Sequence, residues 1–298
     1  EGPALVLVHG FPGSSRALEP LIAAAARKYS VIAPDLPGHG ESEDLERADP
    51  TAADYARSLF ELLDELGVDR AALYGTDAGA AVAAELATLM GDRAEALVLG
   101  RPELYRDPPS GAAALPDLTP EPAGSHLVRA WSLCRDLHLY RPWYDSIPEH
   151  RVPDPLPAAD AIHDEFVDLL RSGPGYGRIL EAAAQSALSE SPTFVLDGGA
   201  GLPDEEAVAD QIRSVDPRRR PAFRSGPAVG GPAGDLRRSY VQTGEGRLLL
   251  RSAGGSGLPI VLLHASPTSG LMLEPLARRL TELGRTVLLF DTPGNGDS

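Results

Sequence analysis

The chain is short of the residues that would tie it to a disulfide framework, a metal cluster or a membrane. It has one cysteine in 298 residues, Cys134, which excludes an intrachain disulfide and a cysteine-based metal cluster. No apolar run approaches the roughly 18 residues of a membrane span. No signal-peptide pattern stands at Glu1. The chain does not begin with Met, so cytoplasmic location is a default that a removed leader would change. Aromatic residues are only 5% of the chain, so the core has to be built mainly from Ala, Leu and Val. Positive charge is scarce, with 27 Lys and Arg against 43 Asp and Glu, and the net charge of −16 repels phosphate. Nucleic acid and anionic membrane are therefore not expected partners; a small molecule is. Oligomeric state is left open. What remains is the composition of a soluble globular protein, 43% hydrophobic and 23% charged, long enough for one large domain or two small ones.

Strand and helix patterns alternate from the start. Ala4 to Val8 is a continuous apolar run, fit for a strand buried on both faces. A helix is expected from about Arg16 to Lys28, a strand from Tyr29 to Pro34, and then the Gly/Pro-rich loop "DLPGHGES". Thr51 is placed to cap the next helix, with Asp54 three positions on, and Gly67 to stop it. Arg70 to Tyr74 reads as a strand, Ala78 to Met90 as a helix and Ala96 to Leu99 as a strand. This rhythm predicts a parallel sheet with helices on both faces, an α/β fold. It breaks at 107–123, and Ser125 to about Leu188 reads as helical. Such an insertion would sit above the sheet's C-terminal edge, where open α/β sheets bind ligands. Thr193 to Leu196 resumes the strand pattern; "DEEAVADQIRSV" is a helix and Pro221 to Arg224 a weak last strand.

After a Gly/Pro-rich linker the opening motif returns. "LPIVLLHASPTSGLMLEPLARRL" repeats "PALVLVHGFPGSSRALEPLIAAA", His9 matching His264 and Pro12 matching Pro267. One inserted residue later "DTPGNGDS" repeats "DLPGHGES", Asp35 matching Asp291. A repeat of this length is a domain, not a solenoid unit. The second copy also carries an upstream hairpin pattern, "QTGEGRLLLR", with no counterpart in the first. The expected organisation is a first copy over 1–224 lacking its first strands, a linker over 225–236, and the N-terminal part of a second copy over 237–298. The chain is then a fragment of a tandem protein. In the alternative, residues 237–298 complete the sheet of the first copy. The runs Ile260 to Leu263 and Val287 to Phe290 should pair with some sheet, since apolar edges left open invite aggregation.

"HGFPGSS" after the first strand, "DLPGHGES" after the second, "GTDAG" at a strand-to-helix turn and a helical cap after the next strand together resemble the α/β-hydrolase fold family, over nearly the whole chain. The family's elbow is Gly-x-nucleophile-x-Gly, and its glycines answer to a turn too tight for side chains at Gly75 or Gly79. Asp77 stands at the centre, similar to epoxide hydrolases and dehalogenases in which an aspartate attacks carbon. A carboxylate is already ionised near neutral pH and forms an alkyl ester on itself. Water must then hydrolyse the ester with a general base, and an oxyanion hole must hold the intermediate. The resemblance implies the backbone N–H groups of Phe11 and Ala78 as that hole, with His9, Gly10 and Pro12 shaping the loop. No metal or organic cofactor is implied. Ala78 stands where haloalkane dehalogenases usually carry a halide-binding Trp, which disfavours that chemistry.

The family's base is a histidine after the last strand, and Pro221 to Asp235 contains none. The acid position would fall at Asp197 or Asp204. The cap offers His126 and His138 as substitute bases, and Tyr140, Tyr144, Tyr176 and Trp131 as substrate contacts; core packing is the plainer role for the aromatics. His39 reads as a surface or loop histidine, and Asp77 also suits a plain helix N-cap. Two functions follow. One is an epoxide-hydrolase-like enzyme acting on a small apolar electrophile through an Asp ester. The other is a catalytically degenerate binding domain that has lost its histidine.

Overall fold

The computed structural model describes residues 2–100, 114–172, 175–186, 236–244, 246–254, 259–265 and 267–298, and the backbone of 194–196. It divides into two units, Glu1–Ser225 and Gly226–Ser298.

The first unit is built on a parallel sheet. Strand β1 (Ala4–Val8) is buried at all five positions. A single turn of 3-10 helix at Ser15–Leu18 leads into α1 (Glu19–Ala25), then β2 (Ser30–Ile32). The expected helix over 16–28 is thus shorter at its C-terminal end and begins as a tighter turn, because the Ser14 hydroxyl accepts the Arg16 N–H and Pro20 sits in the first α turn. Helix α2 (Ala52–Glu65) opens with a full capping box between Thr51 and Asp54 and buries Tyr55, Leu59 and Leu63. Strand β3 (Ala71–Thr76) runs into α3 (Ala78–Met90), and β4 (Ala94–Gly100) follows. Three helices follow in the stretch expected to form a cap: α4 (Ser125–Leu139), α5 (Ala159–Arg171) and α6 (Arg178–Gln185). Strand β5 (Phe194–Leu196) closes the sheet in the order β2-β1-β3-β4-β5, every pairing parallel. Gly79 and the alanines at the start of α3 are buried, and Gly79 lies so near the end of β1 that a β-carbon there would come within 2.8 Å of the Val8 carbonyl oxygen. The expected helix at "DEEAVADQIRSV", the strand at Pro221 to Arg224 and the linker lie outside the described residues.

The second unit holds β6 (Arg237–Thr243), β7 (Gly246–Ala253), β8 (Ile260–Leu263), α7 (Glu274–Glu282) and β9 (Val287–Phe290). Its sheet order is β6-β7-β9-β8, with β6/β7 and β7/β9 antiparallel and β8/β9 parallel. The two apolar runs therefore pair with each other.

Equivalent hydrogen bonds recur in the two units. His9 Nε2 accepts the Leu36 N–H at 2.9 Å, and His264 Nε2 accepts the Thr292 N–H at 3.0 Å. Asp35 accepts from the N–H groups of Ser15 (2.8 Å) and Glu41 (2.9 Å); Asp291 accepts from those of Gly270 (2.7 Å) and Asp297 (3.0 Å). Ser42 and Ser298 each donate to the carbonyl of that aspartate, at 2.8 and 2.9 Å. In the second unit Asp291 also pairs with the fully buried Arg251 of β7 at 3.1 Å. Among the described residues, no helix is long and apolar enough to cross a membrane.

Candidate active site

The loops after β1 and β2 and the turn between β3 and α3 all leave the C-terminal edge of the first sheet, where ligands bind in open parallel sheets. Asp77 occupies that turn. Its φ of 52° and ψ of −130° make it the one non-glycine residue with positive φ among the described residues. A β-carbon is strained in this region, so the fold holds Asp77 there against its local preference. The Asp77 N–H donates to the Gly100 carbonyl at 3.0 Å, and the Thr76 hydroxyl lies 3.4 Å from Oδ2. Thr76 belongs to β3 and pairs with Gly100 in the sheet, so the elbow presents Asp77 and not its neighbour.

Three glycines make the turn possible. A β-carbon on Gly75 would come within 2.5 Å of the Ala83 side chain and of the Gly79 carbonyl. One on Gly79 would lie 2.1 Å from the His9 carbonyl oxygen, and one on Gly10 would lie 2.6 Å from Asp77 Cβ and Oδ2. The loop after β1 therefore runs directly against the aspartate. That brings Gly10, and Phe11 next to it in sequence, to the same place as Asp77 and Ala78. Among the described residues, no hydrogen bond takes up the N–H of Phe11 or Ala78. The first N–H groups of a helix lack intrahelical partners, and the helix dipole adds to their pull on an anion.

His9 is buried and shapes the loop. Its Nε2 accepts the Leu36 N–H, which leaves Nδ1 to donate to the Gly10 carbonyl at 2.9 Å. Both nitrogens are thus used, and the ring is neutral. Burial first, and His39 second, push its pKa down to about 4. His39 is not at the surface: it is 2% exposed, with its ring edge-on to His9 at 5.5 Å, and burial lowers its pKa too. The sequence pattern misses this because a Gly-rich loop is usually solvated, whereas this one folds back over the His9 ring.

The cap residues are divided among several tasks. His138 Nε2 is 2.9 Å from Glu165, a pairing of α4 with α5, and His126 Nδ1 accepts the Glu121 N–H at 3.1 Å. Trp131 meets Phe166 edge-on at 5.8 Å, and Tyr144 meets Trp143 at 5.6 Å. Tyr140 forms an isolated bridge with Arg151. Tyr176 stands apart: its ring stacks on Phe11 at 6.0 Å, its hydroxyl donates to the Pro116 carbonyl, and burial pushes its pKa up to about 12. Asp197 and Asp204 lie outside the described residues.

Sequence patterns gave no sign of one further contact. Ser14 in the loop after β1 donates to Asp168 of α5 at 2.7 Å, and both side chains are buried.

Residues 3–128 match the family model described as alpha/beta hydrolase fold. An uncharacterised protein of Mycobacterium tuberculosis is 38% identical over 98 residues, covering 33% of this chain and 28% of that one. Haloalkane dehalogenase 2 of the same organism is 33% identical over 99 residues, covering 33% of this chain and 35% of its own length. The chain thus spans about a third of the curated relatives it matches. Among solved structures, an epoxide hydrolase variant from Vigna radiata is similar with a TM-score of 0.48 and 22% identity, over 63% of this chain and 68% of that one. With their parallel strands and the glycine-bounded turn between β3 and α3, residues 3–128 have the alpha/beta hydrolase fold.

Proposed function

We propose that the first unit is a hydrolase of the epoxide-hydrolase type, in which Asp77 forms a covalent ester with a small apolar electrophile. The observation that carries this reading is the strained elbow holding Asp77 against the Gly10–Phe11 loop. A plain helix cap needs no positive φ, and Asp77 makes no side-chain capping bond to α3.

For an epoxide, a carboxylate oxygen of Asp77 attacks a ring carbon as that carbon–oxygen bond breaks. The ring oxygen takes a proton, giving a hydroxyalkyl ester. Of the three cap tyrosines, Tyr176 has the ring that reaches Phe11 and burial keeps its hydroxyl protonated; to give that proton to the ring oxygen it has to leave the Pro116 carbonyl. Water then adds to the ester carbonyl, with the developing oxyanion held by the N–H groups of Phe11 and Ala78, and the diol leaves. This second step needs a base. His126 and His138 are each engaged with other cap groups, so ester hydrolysis is the slow half of the reaction. Those engagements are also what favours the second reading, a binding domain that has lost turnover.

The residues after the linker are, in the same reading, the N-terminal part of a second copy of this fold, which the recurring loop hydrogen bonds support.

Diol formation from a panel of small alkyl and aryl epoxides tests the proposal. Turnover that disappears in Asp77→Asn is expected. Turnover that survives this substitution defeats the ester mechanism. Saturable binding without turnover favours the binding domain.

A further inference from the structure

The Ser14–Asp168 contact joins two parts of the first unit that lie 154 residues apart. Ser14 follows the loop that carries Phe11. Asp168 lies in the last turn of cap helix α5. Ser14 is fully buried and Asp168 is 6% exposed. The Ser14 hydroxyl has two roles: it accepts the Arg16 N–H at 3.2 Å and donates to Asp168 Oδ2. The guanidinium groups of Arg16 and Arg171 stand off from Asp168 Oδ1 at 4.0 Å each, and Asp35 opposes its charge from the loop after β2. Burial raises the Asp168 pKa, and the Ser14 hydrogen bond is the strongest of the groups that oppose the rise. A buried carboxylate held mainly by one hydroxyl is a costly arrangement to keep unless the contact has a use.

The second unit supplies an internal comparison. Ser269 occupies the place of Ser14, with φ −127° and ψ 175° against −126° and −173°. The 3-10 turn that follows is present in both. Ser269 makes no side-chain capping bond. The loop therefore takes its shape from the histidine and aspartate bonds that both units share, and the serine contact is not required to form it.

We propose that Ser14 and Asp168 form a closure latch between the cap and the oxyanion loop, and that both are positioning residues for chemistry at Asp77. The inference rests on the hydrolase reading for its kinetic consequences, but the latch itself is a physical coupling that can be measured without turnover. With the latch made, α5 is fixed over the loop and the Phe11 N–H is held against the elbow. With the latch cut, the loop keeps its fold but loses its register under the cap. Displacement of a catalytic group by about 1 Å costs up to about a hundredfold in rate.

The test uses the full chain with Ser14→Ala, Asp168→Ala and Asp168→Asn, the last retaining an oxygen that can accept from Ser14. Hydrogen exchange is followed in residues 9–16 and in α5, alongside tryptophan fluorescence, since Trp131 touches Phe166 of the same helix. Ser14→Ala and Asp168→Ala are expected to speed exchange in the loop and in α5 together, while Asp168→Asn stays close to wild type. On any epoxide that wild type turns over, the two alanine variants should lower kcat about ten- to a hundredfold with a smaller change in KM, and Asp168→Asn should restore it. Faster exchange confined to α5, or an Asp168→Asn variant that behaves as Asp168→Ala, overturns the latch. If wild type turns over no epoxide, the hydrolase reading has failed while the exchange experiment still decides the coupling. Should Asp168→Ala fail to fold, Ser14→Ala and Asp168→Asn carry the same comparison.

Discussion

Lowering the pH should destabilise the first unit through His9, by an amount that follows from the lowering of its pKa on burial. The ring is buried, accepts from the Leu36 N–H and donates to the Gly10 carbonyl, so only the neutral form fits. Its pKa falls from 6.5 to about 4 on folding. The folded state thus binds the proton more weakly than the unfolded chain. The stability this neutral ring contributes is complete above pH 6.5, declines as the pH falls below that value and is gone near pH 4. At 1.36 kcal/mol per pKa unit, the drop of about 2.5 units corresponds to about 3 kcal/mol. That is a large share of the about 5–15 kcal/mol that holds a typical domain. Urea unfolding followed by tryptophan fluorescence is the assay, because both tryptophans, Trp131 and Trp143, lie in the first unit. His9→Gln loses the paired geometry and is less stable than wild type at pH 7.5, but it cannot titrate. The stability gap between the two should close by about 2–3 kcal/mol between pH 7.5 and 4.5. His39 is present in both proteins but interacts with His9, so part of the difference belongs to the pair. A gap that stays constant over this range would refute the reasoning.

Other predictions concern the elbow and the latch. Asp77→Gly should abolish turnover yet stabilise the fold by about 1–3 kcal/mol, since glycine relieves the strained φ; a variant no more stable than Asp77→Asn in urea would contradict this. Gly79→Ala drives a methyl group into the His9 carbonyl and should lower stability by at least about 1–3 kcal/mol; an unchanged urea midpoint would count against the close approach of loop and elbow. Burial raises the Asp168 pKa, so the ionised form weakens the fold above that raised value. Asp168→Asn should therefore match or exceed wild-type stability at pH 7, with the difference shrinking as the pH falls through the Asp168 titration. A variant clearly less stable than wild type at pH 7 would show that the charge itself is needed.

What could be read from sequence were the features set by local pattern. Continuous apolar runs located β1, β8 and β9 at their observed bounds, and the box formed by Thr51 and Asp54 located the start of α2. The Gly-x-Asp-x-Gly spacing located the elbow because glycine is demanded there by contacts a few residues away. Features that arise from chain segments far apart were not legible. His39 is buried only because the "DLPGHGES" loop closes over His9. The Ser14–Asp168 bond depends on how α5 lies on the loop after β1, and nothing in either local stretch marks it. Tyr176 was marked only by its region, and its stacking on Phe11 distinguishes it from Tyr140 and Tyr144. The 3-10 turn before α1 escaped the helical pattern because it is fixed by one hydroxyl and one proline.

The central claim, covalent catalysis by Asp77, is tested most directly by peptide mass analysis after reaction with an epoxide in water enriched in heavy oxygen. The peptide holding Asp77 is expected to carry either the retained ester or one heavy oxygen, the latter left when water attacks the ester carbonyl. Diol that contains the heavy oxygen, formed while the Asp77 peptide stays unmodified and unlabelled, would mean that water attacks the substrate directly, and would contradict the account.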